Sequence, residues 1–239
     1  MNVMILGPAG CGKSSLTGHF GSYLQRHGDT VRFLNLDPGC IELPYRCDFD
    51  IRDLFTVERI MREERLGPGG AMTRAMELLS RTKIPKNEAD FVLIDTPGQL
   101  EVFAFHKSGP KIVNQFVNLV GLFILDASIG IADIPATYLY SLATGYRLGI
   151  DTINVINKVD LLEKRDIEEL ERYLRNPAAL KDEIRTKGVM SDIYAPLSEL
   201  MQKIIPSQRN PSISAKRGTG FDELYDMLRE VRCACGDLT

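Results

Sequence analysis

The chain has 239 residues, enough for one α/β domain with a substantial core. Its 29 Lys and Arg against 32 Asp and Glu give a net charge of −3, so no broad basic field favours direct binding of nucleic acid. Five cysteines, an odd number in a chain of this size, argue against a disulfide framework and predict reduced thiols in a cytoplasmic protein.

Short apolar runs alternate with segments of helical spacing along the whole chain. Strands are predicted at 3–6, 31–36, 91–94, 119–125 and 152–156, with a weaker one around 213. Helices are predicted at 14–26, 57–64, 71–81, 107–118, 136–148, 162–174, 178–204 and 220–232. This alternation predicts an α/β fold, a mostly parallel sheet flanked by helices, in a single domain over 1–239 with a helical insertion at about 161–205 before the last strand.

The apolar pattern predicts neither a leader nor a membrane span. The longest apolar stretch, 116–134, is interrupted by Asn118, Asp126 and Asp133, so it predicts a buried strand with its flanks. The first residues do not resemble a signal peptide. We therefore expect no contact with a membrane.

A phosphate-binding loop follows the first predicted strand and opens the first predicted helix. Residues 7–14 match G-x-x-x-x-G-K-[ST] in full, in the structural context that this motif requires. Glycines let backbone N–H groups turn toward phosphate oxygens, and the helix N-terminus adds its partial positive charge. We expect Lys13 to contact the β- and γ-phosphates, and the Ser14 hydroxyl to bind Mg²⁺. The other predicted nucleotide contacts in this loop are Ala9, Gly10, Cys11, Gly12 and Ser15.

Two further motifs predict that the base is guanine. Asn157-Lys158-Val159-Asp160 follows the fifth predicted strand with the N-K-x-D spacing of GTPases. A carboxylate such as that of Asp160 can accept from both guanine N1–H and the 2-amino group, whereas adenine lacks that pair of donors. Ser214-Ala215-Lys216 follows the weak sixth strand, where the Ala215 N–H can donate to guanine O6. We therefore predict that Asn157, Lys158, Asp160, Ser214 and Ala215 bind the base.

The γ-phosphate region is predicted from the segment after the third strand, Asp95-Thr96-Pro97-Gly98-Gln99. Asp95 occupies the place of the second Mg²⁺-linked acid of P-loop proteins, acting through a water. The Gly98 N–H can detect the γ-phosphate, and Gln99 and Glu101 are candidates to orient water. Asp37, at the end of the second strand, is a further catalytic candidate; its alternative role is to start the turn at Pro38-Gly39.

The chain resembles the GPN-loop GTPases, and the short tail is most similar to archaeal members. The matching segments are GPAGCGKSS, NLDPG, LPY followed by DIRDLFTVERIMRE, DTPGQLE with FHKSG, NKVDLL, SAKRGTGFDEL and CACGDLT. The resemblance implies the dimerising branch of P-loop GTPases: a homodimer that binds GTP or GDP with Mg²⁺. It implies that a Gly-Pro-Asn loop from one protomer enters the other's site. It also implies that the protein is a molecular switch that assists the assembly of other protein complexes, which in eukaryotic relatives concerns RNA polymerase.

The expected loop reads Gly67-Pro68-Gly69, with Gly69 where the family has asparagine. Three hypotheses follow: the loop acts through its backbone, hydrolysis is slow, or the loop only clamps the dimer. The corresponding alternative to a GTPase is a GTP-dependent scaffold with little hydrolysis. A further alternative is an ATPase or small-molecule kinase on the same cradle. Cys233 and Cys235 alone do not predict structural zinc, because a partner pair of ligands is lacking in the sequence.

Overall fold

A parallel sheet of six strands lies at the centre of the protein, whose computed structural model describes residues 1–86, 88–128, 134–176, 196–197, 199 and 209–236. The strands are β1 (Asn2–Leu6), β2 (Val31–Asn35), β3 (Phe49–Asp50), β4 (Phe91–Asp95), β5 (Leu119–Asp126) and β6 (Thr152–Asn157). Their order is β3-β2-β4-β1-β5-β6, and every pair is parallel. The predicted fold class is confirmed.

Helices cover both faces of the sheet. They are α1 (Lys13–Arg26), α2 (Val57–Glu64), α3 (Pro68–Leu79), α4 (Leu100–Phe105), α5 (Ser108–Val113), α6 (Ile134–Leu148), α7 (Lys164–Arg175) and α8 (Phe221–Gly236), with 3₁₀ turns at Ile51–Asp53 and Val159–Leu161. Successive side chains of a strand point to opposite faces, so Val3 and Ile5 join the core under α1 and α8. Met4 and Leu6 join the core under α3 to α6. Both faces of β1 are therefore covered from Val3 to Leu6, whereas Asn2 at its start is half-buried.

The strand register places the motifs together. Val3 lies beside Leu93 of β4 and Val120 of β5, so these three strands end at one edge of the sheet. The phosphate-binding loop follows β1 there, and the segment from Asp95 follows β4. In open parallel sheets ligands bind outside the carboxyl ends of the strands, which is where these loops meet.

Three predicted elements differ from the structure. Helix α3 begins at Pro68 and not at residue 71, because Pro at N1 and Gly67 as N-cap favour a helix start there. The predicted helix at 107–118 is too long, since α5 ends at Val113, and α4 precedes it as a helix that was not predicted; the extended backbone of His106 separates the two. The weak strand around 213 forms only isolated bridges, Ile156 to Ser212 and Ser214 to Thr219, and the sixth strand of the sheet is β3.

The predicted insertion at 161–205 is described only in part. Helix α7 falls within it, close to the predicted 162–174. The predicted helix at 178–204 lies almost wholly outside the described residues. None of the helices in the described part of the chain combines the length and apolar character needed to cross a bilayer.

Candidate nucleotide site

The phosphate-binding loop depends on glycine at three positions. Gly7, Gly10 and Gly12 have φ angles of 145°, 78° and 100°, which L side chains rarely adopt. Gly12 is the N-cap of α1, and a Cβ there would lie 2.5 Å from Nδ2 of Asn157. Ala9 and Gly10 are exposed on the outer turn of the loop. The backbone therefore turns around the N-terminus of α1 as anion binding requires.

The Lys13 side chain lies inside this loop. Its ammonium donates to the carbonyl oxygens of Gly7 at 2.9 Å and Pro8 at 3.1 Å, and the residue is only 7% exposed. Cys11 is also buried, and burial raises the pKa of its thiol to about 11, so it is a neutral packing group. Ser14 and Ser15 lie in the first turn of α1. The loop thus holds one buried cation at the start of a helix.

Asn157 joins the phosphate-binding loop to the segment at Ser214. Its side-chain amide donates to the Cys11 carbonyl at 2.9 Å, and its Oδ1 accepts from the Ala215 N–H at 2.9 Å. Asn157 is 2% exposed, so both bonds are shielded from water. Asn157 therefore ties the phosphate-binding loop to the loop that carries Ala215.

Asp160 is held in place by Ser214. The Ser214 hydroxyl donates to Oδ1 of Asp160 at 2.6 Å, and the Asp160 side chain is 9% exposed. This hydrogen bond, aided by the positive charge of Arg217, holds the pKa of Asp160 below its ordinary value. The carboxylate is therefore ionised and fixed at neutral pH, as an acceptor for two adjacent donors must be.

Lys158 is held by an acidic residue that the sequence did not single out. Its ammonium contacts Oδ2 of Asp126 at 2.6 Å, and Lys158 adopts a φ of 68°. Burial alone would raise the pKa of Asp126, but the bonds from Lys158 and Ser128 hold it below the ordinary value. Asp126 ends β5, beside Asn157 at the end of β6. The sequence could have indicated Asp126 as a site residue, because it lies at the carboxyl end of a buried strand.

Asp95 is a buried carboxylate with one free oxygen. Its Oδ2 accepts from the Tyr45 hydroxyl at 2.9 Å, whereas Oδ1 has no hydrogen-bond partner among the described residues. Burial raises the pKa of Asp95 to about 6, although the nearby Ser14 and Tyr45 hydroxyls oppose the rise. An unpartnered buried carboxylate oxygen near a serine hydroxyl fits Mg²⁺, which prefers hard oxygen ligands. Ser14 and Asp95 are thus the residues suited to hold this ion.

Replacing Asp95 with asparagine should remove a pH-dependent stability cost. The folded protein holds the Asp95 proton more tightly than the unfolded chain does, because the folded pKa of about 6 exceeds the ordinary 3.8. This contribution to the free energy of unfolding is fully present below pH 3.8 and is lost as the pH rises through 6. In EDTA without nucleotide, the free energy of unfolding by urea should therefore favour Asp95→Asn over wild type by about 1–3 kcal/mol more at pH 7.5 than at pH 4.5. A difference between the two proteins that is equal at both pH values would contradict this assignment.

Asp37 contacts two backbone amides. Its Oδ1 accepts from the Gly39 N–H at 2.8 Å, so the turn-starting role is present. Its Oδ2 accepts from the Gly98 N–H at 3.0 Å, the amide predicted to detect the γ-phosphate. Burial raises the pKa of Asp37, and these two amides oppose the rise. The structure therefore brings Asp37 to the phosphate edge of the site.

The remaining catalytic candidates lie on α4 and α3. Gln99 is exposed immediately before α4, and Glu101 in its first turn accepts from the Tyr140 hydroxyl at 2.8 Å. Gly67 and Pro68 begin α3 and are exposed, as is Gly69. A Cβ added at Gly69 would meet no atom within 4 Å. This Gly-Pro-Gly turn faces outward, where a second molecule can reach it.

No group of three or more His, Cys, Asp or Glu side chains suited to a metal ion occurs among the described residues. Cys233 is exposed and free near the end of α8.

The hydrogen bond from Tyr45 to Asp95 was not predicted from the sequence, where the Leu-Pro-Tyr segment contributed only to the family resemblance.

Comparison with known proteins finds relatives along almost the whole chain. A family model described as "Conserved hypothetical ATP binding protein" matches residues 5–234. GPN-loop GTPase PAB0955 of Pyrococcus abyssi is 36% identical over 100% of both chains. GPN-loop GTPase 3 of Saccharomyces cerevisiae is 32% identical over 75% of this chain and 71% of its own length.

Longer relatives and a solved structure agree with this result. GPN-loop GTPase 1 of Dictyostelium discoideum is 26% identical over 95% of this chain, which spans 60% of that protein. The crystal structure of PAB0955, described as a GTPase in apo form, superposes with a TM-score of 0.87 at 34% identity and 98% coverage of each chain. The family model is named for ATP and these relatives for GTP, so the residues around the base become decisive.

Proposed function

The chain belongs to the GPN-loop GTPase family, and on that basis we propose that it binds GTP with Mg²⁺ and hydrolyses it to GDP and phosphate as a homodimer. One observation carries the choice of guanine: Ser214 fixes an ionised Asp160, while Asn157 fixes the Ala215 N–H beside it. The Asp160 carboxylate offers acceptors for guanine N1–H and the 2-amino group, whereas the Ala215 N–H donates to Asn157 Oδ1 and would have to share its proton to reach O6. Adenine would leave the Asp160 carboxylate without those donors.

The triphosphate is gripped at the other end of the site. Lys13 supplies fixed positive charge within the phosphate-binding loop, and α1 directs its N-terminus there. Ser14 and Asp95 would hold Mg²⁺. When bound, Mg²⁺ neutralises charge on the phosphate oxygens.

Hydrolysis adds water to the γ-phosphorus and breaks the bond to the bridging oxygen of GDP. Asp37 is suited to accept a proton from that water or to orient it, because burial raises the pKa of its carboxyl group. Its carboxylate also accepts a hydrogen bond from the Gly98 N–H, so it is already at the γ-phosphate end of the site. Gln99 and Glu101 orient water from the start of α4. The Gly98 N–H, which donates to Asp37 in this structure, donates to the γ-phosphate once its bond to Asp37 is broken.

The exposed turn at Gly67-Pro68-Gly69 supports a contribution across the dimer. In a two-fold dimer the same turn from each protomer can enter the partner's site. Gly69 offers no side-chain amide, so we propose that hydrolysis is slow. The same observation favours a second candidate function, a GTP-dependent scaffold with almost no turnover. The role in assembling other protein complexes is supported by the family resemblance alone.

Replacing Gly69 with asparagine should accelerate single-turnover GTP hydrolysis by about tenfold to hundredfold, because it restores one donor aimed at the transition state. The new side chain fits, since a Cβ at Gly69 meets nothing within 4 Å and the φ is ordinary. Phosphate release should be followed at protein concentrations that span dimer dissociation.

Gly70→Asn is the matched control, because Gly70 is the next exposed residue of the same helix and its added Cβ would contact only Leu66, at 3.6 Å. It should leave the rate unchanged. Equal rates for wild type and Gly69→Asn would show that a side chain at this position is irrelevant to hydrolysis, which leaves a backbone role or dimer clamping for the turn. GTP binding without phosphate release in every variant would favour the scaffold.

A further inference from the structure

The loop between β2 and β3 reaches the residue suited to Mg²⁺ through one side chain. Tyr45 donates its hydroxyl to Oδ2 of Asp95 at 2.9 Å, across 50 residues of sequence. Asp95 is 1% exposed, and its other oxygen, Oδ1, has no hydrogen-bond partner in the described part of the chain. One carboxylate oxygen is thus fixed by the loop, and the other stays available.

The fold makes room for Tyr45 at this point. Its ring stacks on Phe33 of β2, with centroids 5.4 Å apart and planes at 26°. The ring also lies close to Gly18 of α1, where a Cβ would lie 3.3 Å from Tyr45 Cδ1 and 3.3 Å from the Pro44 carbonyl oxygen. Aromatic stacking and a glycine in the helix therefore set the ring position, and the hydroxyl follows.

The same loop is anchored again by Arg52. Its guanidinium donates to the carbonyl oxygens of Cys40 at 3.1 Å and Ile41 at 2.9 Å, and pairs with Asp50 at 2.6 Å. With one end of the loop held by Arg52 and the other by β3, Tyr45 is its link to the centre of the site.

We propose that Tyr45 is a positioning residue that orients the Asp95 carboxylate for Mg²⁺ and couples the loop at 40–47 to metal binding. The inference rests on the proposed function. The terminal torsion of an aspartate is soft, so a buried carboxylate without a fixed partner samples many orientations. The bond at Oδ2 fixes one orientation of the carboxylate and leaves Oδ1 available, with the Ser14 hydroxyl near the group. Hydrogen bonds to metal-binding carboxylates commonly set metal affinity in this way.

Tyr45→Phe tests this role, because it keeps the stacked ring and removes only the hydroxyl. We would measure release of the fluorescent nucleotide mant-GDP over a series of MgCl₂ concentrations and in EDTA. In EDTA the release rate should match wild type. The Mg²⁺ concentration that half-maximally slows release should rise by about tenfold or more. Tyr225→Phe is the matched control, since Tyr225 donates to Asp29 at 2.8 Å and lies on α8, and it should change neither quantity.

Gly18→Ala provides a second variant that keeps the hydroxyl and crowds the loop. Displacing Pro44 and Tyr45 should raise the required Mg²⁺ concentration in the same direction. A half-point within twofold of wild type in both variants would overturn the proposal, as would a wild-type release rate that is insensitive to Mg²⁺. Failure of the proposed function differs from these outcomes, because then wild-type protein would bind no guanine nucleotide in either buffer.

Discussion

Replacing Asp160 with asparagine should weaken GTP binding by about 10²–10⁴-fold and shift the preference to xanthosine triphosphate. The carboxylate is the acceptor for two guanine donors, and each hydrogen bond to a charged group is worth about 1.5–3 kcal/mol. Xanthine carries a carbonyl in place of the 2-amino group, so the new side-chain amide can donate to it. Equilibrium binding of both nucleotides to wild type and variant measures the shift.

Asp29→Asn is the control for this experiment. Asp29 also accepts a hydroxyl hydrogen bond, from Tyr225 at 2.8 Å, but it lies in the turn after α1 and away from the motifs. It should leave the preference for GTP unchanged. Retained GTP preference in Asp160→Asn would show that this carboxylate does not contact the base.

Replacing Gly12 with alanine should weaken GTP binding by disrupting the contacts that hold the phosphate-binding loop in place. The residue has a φ of 100°, and the new Cβ would lie 2.5 Å from Nδ2 of Asn157. Asn157 must then move and give up its bonds to Cys11 and Ala215. We expect GTP affinity to fall at least about hundredfold, since two buried hydrogen bonds and the loop geometry are lost together. The free energy of unfolding should fall by about 3 kcal/mol or more.

Gly28→Ala separates the clash from simple backbone strain. Gly28 has a similar φ of 92°, but a Cβ there meets no atom within 4 Å. It should lose only about 1–2 kcal/mol of stability from the left-handed conformation, with GTP affinity unchanged. If Gly12→Ala bound GTP as tightly as Gly28→Ala does, the link through Asn157 would be irrelevant to binding.

The parts of the site that follow buried strands could be predicted from the sequence. Asp95 and Asn157 each end a strand with a clear apolar run, Lys13 begins the helix that follows such a strand, and parallel strands bring these ends to one edge. Their motifs are local, so spacing along the chain was sufficient. The same reasoning could have included Asp126, which ends β5.

Contacts between distant irregular segments could not be predicted. Tyr45 meets Asp95 across 50 residues, and Asp37 meets Gly98 across 61, through loops without periodicity. Strand β3 has two residues, too few for an alternating pattern. The start of α3 is different: proline at the first helical position is a known signal, and it was outweighed by the glycines around it.

Competition between GTP and ATP for the wild-type protein tests the proposed specificity for guanine most directly. With Mg²⁺ present, unlabelled GTP should displace bound mant-GDP at concentrations at least about a hundredfold lower than ATP requires, because only guanine supplies two adjacent donors to the fixed carboxylate of Asp160. Equal displacement by the two nucleotides, or stronger displacement by ATP, would contradict the account.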